Sequence, residues 1–168
     1  PIYGKGVCTE EICAEIIRAC RLKNKIVVVD PKGDDWRKYS GASFITPNLK
    51  ELNAVLPKKI SNVDAEVETA ARGVIEKFAL EGLVVTRSAE GLTLVDGEKI
   101  SHIRAWAQEV FDVSGAGDTV IAVFALGIAG NLKSELAAYL ANAAAGVVVA
   151  KVGTYAVSRA ELLQALEA

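Results

Sequence analysis

The sequence predicts an α/β layered fold on a mostly parallel sheet, and three observations carry that prediction. Amphipathic helical patterns alternate with short β-branched runs, those runs are continuously apolar, and a hairpin pattern is followed by three closing helical segments. At 168 residues the chain suits one compact unit that buries a core without disulfides or a structural metal.

Each element has its own signal. Thr9 to Lys23 places Ile12, Cys13, Ile16, Ile17 and Cys20 at helical spacing behind Thr9 as N-cap. Ile26-Val27-Val28-Val29-Asp30, closed by Pro31, reads as a strand buried on both faces, and Phe44-Ile45-Thr46, closed by Pro47, as a second. Leu56 to Val63 reads as a loop. From Asp64 to Leu80 the positions Val67, Ala70, Ala71, Val74, Ile75 and Phe78 share one helical face, and Gly82 is the expected C-cap glycine. Leu83 to Thr86 is a strand. Gly91 to Val95 and Lys99 to Ile103 form a hairpin across Asp96-Gly97, a pair that favours a type I′ turn. Helices are predicted from near Gly115, over Ser134 to Lys151, and over Ser158 to Ala168, the last opening with a Ser158/Glu161 capping box.

Composition narrows the function classes. Nineteen basic against twenty-one acidic residues give a net charge of −2, interspersed in sign, so no footprint for nucleic acid or an anionic membrane is present. The longest apolar runs, such as Ala143 to Ala150, fall well short of the roughly 20 residues that cross a bilayer, and neither a span nor a signal peptide is expected. A small-molecule partner is. Cys8, Cys13 and Cys20 lack a CxxC pair and a nearby His, and read as reduced packing thiols of a cytoplasmic protein. The absence of Met and the start at Pro1 predict a processed product or a piece of a longer protein.

The segment Asp112 to Thr119, DVSGAGDT, is the most informative. Gly115, Ala116 and Gly117 directly precede a long apolar helix, and small residues there leave first-turn N–H groups open to an anion. Asp118 sits in the same turn, where its carboxylate can take a proton from a hydroxyl nucleophile. Base and anion hole together suit phosphoryl transfer to an alcohol. A glycine-rich helix entry, with Asp118 only complementing the helix dipole, accounts for the spacing equally well.

Asn48-Leu49-Lys50-Glu51 follows a strand end, where ligands bind in open α/β sheets. Asn48 and Glu51 can serve nucleotide phosphates and the water shell of Mg²⁺, or form a capping box. Thr86 to Gly91 leaves another strand end; Thr86 and Arg87 can reach phosphates, or the stretch is a polar turn. Tyr3-Gly4-Lys5-Gly6 offers a lysine in a loop. His102, the only histidine, reads as structural, and Trp36 and Trp106 as packing residues. No GxxxxGK[ST], strand-borne GxGxxG, HExxH or GxSxG motif occurs, which disfavours P-loop, dinucleotide-binding, zincin and α/β-hydrolase chemistry.

Together the segments resemble the ribokinase-like (PfkB) carbohydrate kinases. DVSGAGDT is similar to that family's C-terminal signature and TPNLKE (Thr46 to Glu51) to its Asn-x-x-Glu motif. VVTRSAEG (Val84 to Gly91) and LANAAAGVVVAKVGT (Leu140 to Thr154) resemble its nucleotide-pocket segments, all in family order. The resemblance implies the nucleotide-binding, C-terminal half of a ribokinase-like three-layer fold, with ATP and Mg²⁺ as cofactors. It implies Asp118 as the base and Gly115, Ala116 and Gly117 as the anion hole. Asn48, Leu49, Lys50 and Glu51 would border the ATP phosphates, with Glu51 on Mg²⁺ through water, and Thr86, Arg87, Gly91 and Asn142 would lie near the nucleotide.

YGKGV, VVVDPKG, FITPNLKE, VVTRSAEGL and EVFDVSGAGDTVIA further resemble the branch that phosphorylates D-glycero-D-manno-heptose 7-phosphate at C1, towards lipopolysaccharide precursors. Two positions depart from the pattern: Ile2 stands where that branch has Asp, and Val123 where the signature usually has Ala or Gly. The resemblance covers about the second half of a family kinase domain. The sugar-contacting half and the lid sheet, which often mediates homodimerisation in the family, are not in this sequence, so the isolated chain is expected to bind ATP weakly and not to turn over. A kinase for another sugar or nucleoside, and a non-catalytic nucleotide-binding module, are the alternatives.

Overall fold

The computed structural model describes residues 7–106 and 110–167; the Tyr3-Gly4-Lys5-Gly6 run lies outside them. Helix α1 (Glu10–Leu22) starts where predicted, with the Ile12 N–H donating to Thr9 Oγ1 at 3.3 Å. Strands β1 (Val28–Val29), β2 (Phe44–Ile45), β3 (Gly82–Thr86), β4 (Leu92–Asp96) and β5 (Lys99–Ile103) form one sheet in the order β1-β2-β3-β4-β5. The β1/β2 and β2/β3 pairs are parallel, and β3/β4 and β4/β5 antiparallel, so β4 alone runs against the other four. The mostly parallel sheet of the sequence reading is present.

Strand alternation splits the core into two layers. Ile45, Leu83, Val85 and Val95 face α1, α2 (Leu49–Val55) and α3 (Asp64–Phe78); Phe44, Val84, Leu92 and Leu94 face α4 (Ala116–Ala129) and α5 (Ser134–Val149). Alanines 137, 138 and 141 of α5, all fully buried, let α4 and α5 pack closely. Helix α6 (Arg159–Glu167) packs on α5, and its predicted capping box forms: the Ser158 N–H donates to Glu161 Oε2 at 3.0 Å and the Glu161 N–H to Ser158 Oγ at 3.3 Å.

Three local expectations are corrected. The run from Ile26 to Asp30 yields only a two-residue strand, half-buried at the sheet edge; Val28 and Val29 do turn to opposite layers, but the edge position leaves each partly open. Helix α3 ends on Ala79 in the left-handed region (φ 52°), not on Gly82. Gly82 answers to packing instead, since a Cβ there would lie 2.5 Å from Phe44 Cε1. In the hairpin, Asp96 pairs with Lys99, which makes Gly97-Glu98 the loop. Only Gly97 there has positive φ (56°), the type II′ rather than the type I′ pattern. The three cysteines are free thiols, and no helix of the described residues is long and apolar enough to cross a membrane.

Candidate active site

The C-terminal ends of β1, β2 and β3 and the first turn of α4 enclose a polar cleft of about 120 Å³. It brings together Asn48, Glu51, Thr86, Gly115, Gly117 and Asp118, which are far apart in sequence. Gly115 takes φ 81° at the N-cap, a conformation glycine adopts without Cβ strain, and turns the chain so that α4 points its first amides into the cleft. The Ala116 N–H is taken by Val113 O at 3.2 Å. Among the described residues no acceptor takes the N–H of Gly117 or Asp118. Two unpaired donors at the positive end of a 14-residue helix can bind an anion. Asp118, in the same turn, is exposed to the cleft.

Asn48 and Glu51 make the capping box and line the cleft at once. The Glu51 N–H donates to Asn48 Oδ1 at 2.8 Å, and the Asn48 N–H to Glu51 Oε2 at 2.9 Å. The cap therefore fixes the Glu51 carboxylate at the cleft wall. Leu49 instead packs against the core, and Lys50 is exposed on α2, outside the residues lining the cleft.

A second, mainly apolar cavity of about 520 Å³ opens beside the cleft, bounded by the β3–β4 connection, the segment after β5, and α4 and α5. Thr86 and Gly117 border both spaces. Leu92, Ala105, Val120 and Val149 supply apolar walls; Trp106, read from sequence as packing alone, also lines it while stacking edge-on against Tyr139 at 5.5 Å. Ala116, Gly91 and Asn142 are here too. Gly91 (φ 81°) has no room for a side chain, because a Cβ would lie 2.0 Å from Ile103 O. Asn142 is buried, and its Nδ2 donates to Arg104 O at 2.7 Å, tying α5 to the cavity rim.

Arg87 is the clear departure from the predicted set. Its guanidinium is 2% exposed and donates to Asn62 Oδ1 (2.8 Å), Asn62 O (3.1 Å) and Thr93 Oγ1 (2.9 Å), besides pairing with Asp64. It borders a separate polar cavity with His102 and Arg104, not the Asp118 cleft. His102 is structural as expected, with Nδ1 2.9 Å from Thr93 Oγ1. Asp30, Lys32 and Thr46 line the cleft and were missed from sequence. Their signal was their place at or just past strand ends, within VVVDPKG and TPNLKE.

Residues 3–161 match the pfkB family of carbohydrate kinases. The chain belongs to that family. It is 49% identical over 166 residues to the bifunctional protein HldE of Paramagnetospirillum magneticum, and 47% identical over 164 residues to that of Mesorhizobium japonicum. Each alignment covers 98% of this chain, which spans about a third of the relative's length (34% and 33%). Among solved structures, the Arabidopsis thaliana ribokinase complexed with ribose and ATP superposes with a TM-score of 0.84 at 23% identity, over 95% of this chain and 53% of that one. Phosphofructokinase-2 of Escherichia coli, in complex with potassium, gives 0.84 at 22%, over 96% and 53%. The fold is ribokinase-like, and the family is one of kinases.

Proposed function

We propose that this chain is the nucleotide-binding half of a kinase that transfers the γ-phosphoryl group of ATP to a sugar phosphate. The observation that carries the reading is the junction at Thr86 and Gly117, where an apolar cavity of about 520 Å³ meets the polar cleft containing Asp118. A nucleotide has that division: a flat apolar base and a polyanionic tail. The base and ribose enter between Trp106 and Val149, and the phosphates cross the junction to the unpaired Gly117 and Asp118 amides. Coverage of only 53% of the ribokinase chain supports the half-domain assignment.

Phosphoryl transfer asks mainly for positioning and charge stabilisation. The acceptor hydroxyl oxygen bonds to the γ-phosphorus, its proton passes to the Asp118 carboxylate, and the bond to the ADP oxygen breaks. The two α4 amides face the charge on the transferred group. Glu51 has one carboxylate oxygen on the Asn48 amide and the other on Lys32, and no group of three metal-ligating side chains occurs among the described residues. That donor set fits a Mg²⁺ that arrives on the nucleotide and keeps its water, with Glu51 and Asp30 in reach through water, rather than a cage of protein ligands. Bound there, Mg²⁺ would neutralise phosphate charge.

D-glycero-D-manno-heptose 7-phosphate, phosphorylated to the 1,7-bisphosphate, is the acceptor that the motif resemblance and the HldE relatives support. A cytoplasmic setting fits ATP as donor and the three free thiols. The test is Asp118→Asn in the protein carrying the complete kinase domain. Turnover should fall by about 10²- to 10⁴-fold with ATP affinity nearly unchanged; near wild-type turnover would refute the role of Asp118. An acceptor panel of heptose 7-phosphate, ribose, fructose 1-phosphate and adenosine checks the substrate.

A further inference from the structure

The kinase reading gives Lys32 no task, although its ammonium stands inside the cleft. Nζ donates to Asp30 Oδ1 and to Glu51 Oε1, each at 2.9 Å, and the side chain lines the same space as Gly117 and Asp118. Its backbone is anchored, with the N–H donating to the hydroxyl of the buried Tyr39 at 3.4 Å. The side chain remains 35% exposed, so an incoming ligand can reach it.

Charge crowding shows why a cation belongs here. Asp30, Glu51 and Asp118 share this cleft. Burial holds the Asp30 carboxyl above its ordinary value of 3.8, against the opposing pull of Lys32, and the negative charges of Glu51 and Asp118 raise it further. A polyphosphate entering such a space meets like charge, and the α4 amides contribute only partial charges. Lysine is a compact charge on a four-carbon stem with three donors. It can pass a contact from a carboxylate to a phosphoryl oxygen without leaving the cleft.

We propose that Lys32 is a catalytic residue whose ammonium, poised by Asp30 and Glu51, contacts the terminal phosphoryl oxygens of the bound nucleotide and stabilises the transferring group. This rests on the kinase reading above. The competing role is a brace that only aligns the two carboxylates, and the two roles differ in what they do to nucleotide affinity. A phosphate contact discriminates ATP from AMP. A brace does not.

The experiment, on the protein carrying the complete kinase domain, measures ATP, ADP and AMP affinities by competition against a fluorescent ATP analogue, without divalent metal, for wild type, Lys32→Gln and Lys32→Arg. Turnover is measured in parallel with Mg²⁺. Lys32→Gln should weaken ATP by about 10- to 100-fold, the range of a charge-assisted hydrogen bond, while AMP changes by less than about twofold and turnover falls. Lys32→Arg, which keeps the charge, should recover part of the ATP affinity and provides the measurement if Lys32→Gln does not fold. Unchanged ATP affinity in Lys32→Gln, equal losses for ATP and AMP in either variant, or a Lys32→Arg protein with no more ATP affinity than Lys32→Gln would overturn the inference alone. Failure of the wild type to bind any nucleotide would overturn the kinase reading and this inference with it.

Discussion

Replacing Arg87 by Met separates two roles that sequence reasoning merges: contact with a nucleotide phosphate and support of the β3–β4 connection. Methionine retains much of the apolar stem and removes the guanidinium, which is 2% exposed and donates to Asn62 Oδ1, Asn62 O and Thr93 Oγ1. Thr93 keeps His102 as a partner at 2.9 Å. Asp64, 60% exposed, regains water, so that ion pair adds little. The two Asn62 oxygens lose a charged donor, at about 1.5–3 kcal/mol for each such hydrogen bond. The guanidinium's own desolvation penalty is relieved at the same time. The balance is a destabilisation of about 2 kcal/mol, which for a chain of this length lowers Tm by about 4–8 °C. Circular dichroism melts give the first number, and nucleotide titration well below the transition gives the second, with ATP affinity expected to stay within about threefold. An unchanged Tm together with a tenfold or greater loss of ATP affinity would refute the structural assignment and return Arg87 to the phosphates.

Other perturbations test the neighbouring elements. A Cβ at Gly117 meets nothing within 4 Å, so Gly117→Val should leave the fold intact in thermal melts yet fill the junction of the two cavities and weaken ATP by about tenfold or more; unimpaired binding would place the phosphates elsewhere. Asn48→Ala removes the α2 cap and should cost about 1 kcal/mol, read as a fall in urea midpoint at constant m-value. Glu161 is held at about 2, below its ordinary 4.5, chiefly by the Tyr155 hydroxyl and then by the Ser158 amide and hydroxyl. A depressed carboxylate stabilises above its unfolded value and loses that contribution as pH falls. The α6 cap should therefore loosen between about pH 4.5 and 2, seen as a Tyr155 ring shift in NMR, and Glu161→Gln should abolish that transition.

The legible parts of this molecule were those in which one local rule acts alone. Thr9, Asn48 and Ser158 each announced a helix start because their caps are contacts across three residues. DVSGAGDT announced a helix start with open amides beside a carboxylate, because Gly115, Gly117 and Asp118 share one turn. What failed depends on contacts distant in sequence. Gly82 resembled a helix stop, but Phe44 is the residue that requires it to be small. Thr86 and Arg87 read as a phosphate-facing stretch or a polar turn; they border different cavities, and Arg87 is held by Asn62, on a loop 25 residues away, and by Thr93 on β4. Lys32 was legible only as part of VVVDPKG and not as a site residue, since its two carboxylate partners come from a strand end and from helix α2.

The division of the site into a polar and an apolar part follows from the sheet's topology. β3 has a parallel neighbour on one side and an antiparallel one on the other. On the parallel side the ends of β1 and β2 arrive pointing the same way, and their last residues and following loops deliver Asp30, Lys32, Thr46 and Asn48 to one rim. On the antiparallel side the chain turns back at Gly91, so the start of β4 and the segment after β5 bring Leu92, Ala105 and Trp106 to the adjoining rim. Thr86 ends β3 between the two, and the α4 amides lie across from it. A ligand that fills both rims must be charged at one end and apolar at the other, and the group it presents to Asp118 is its charged end.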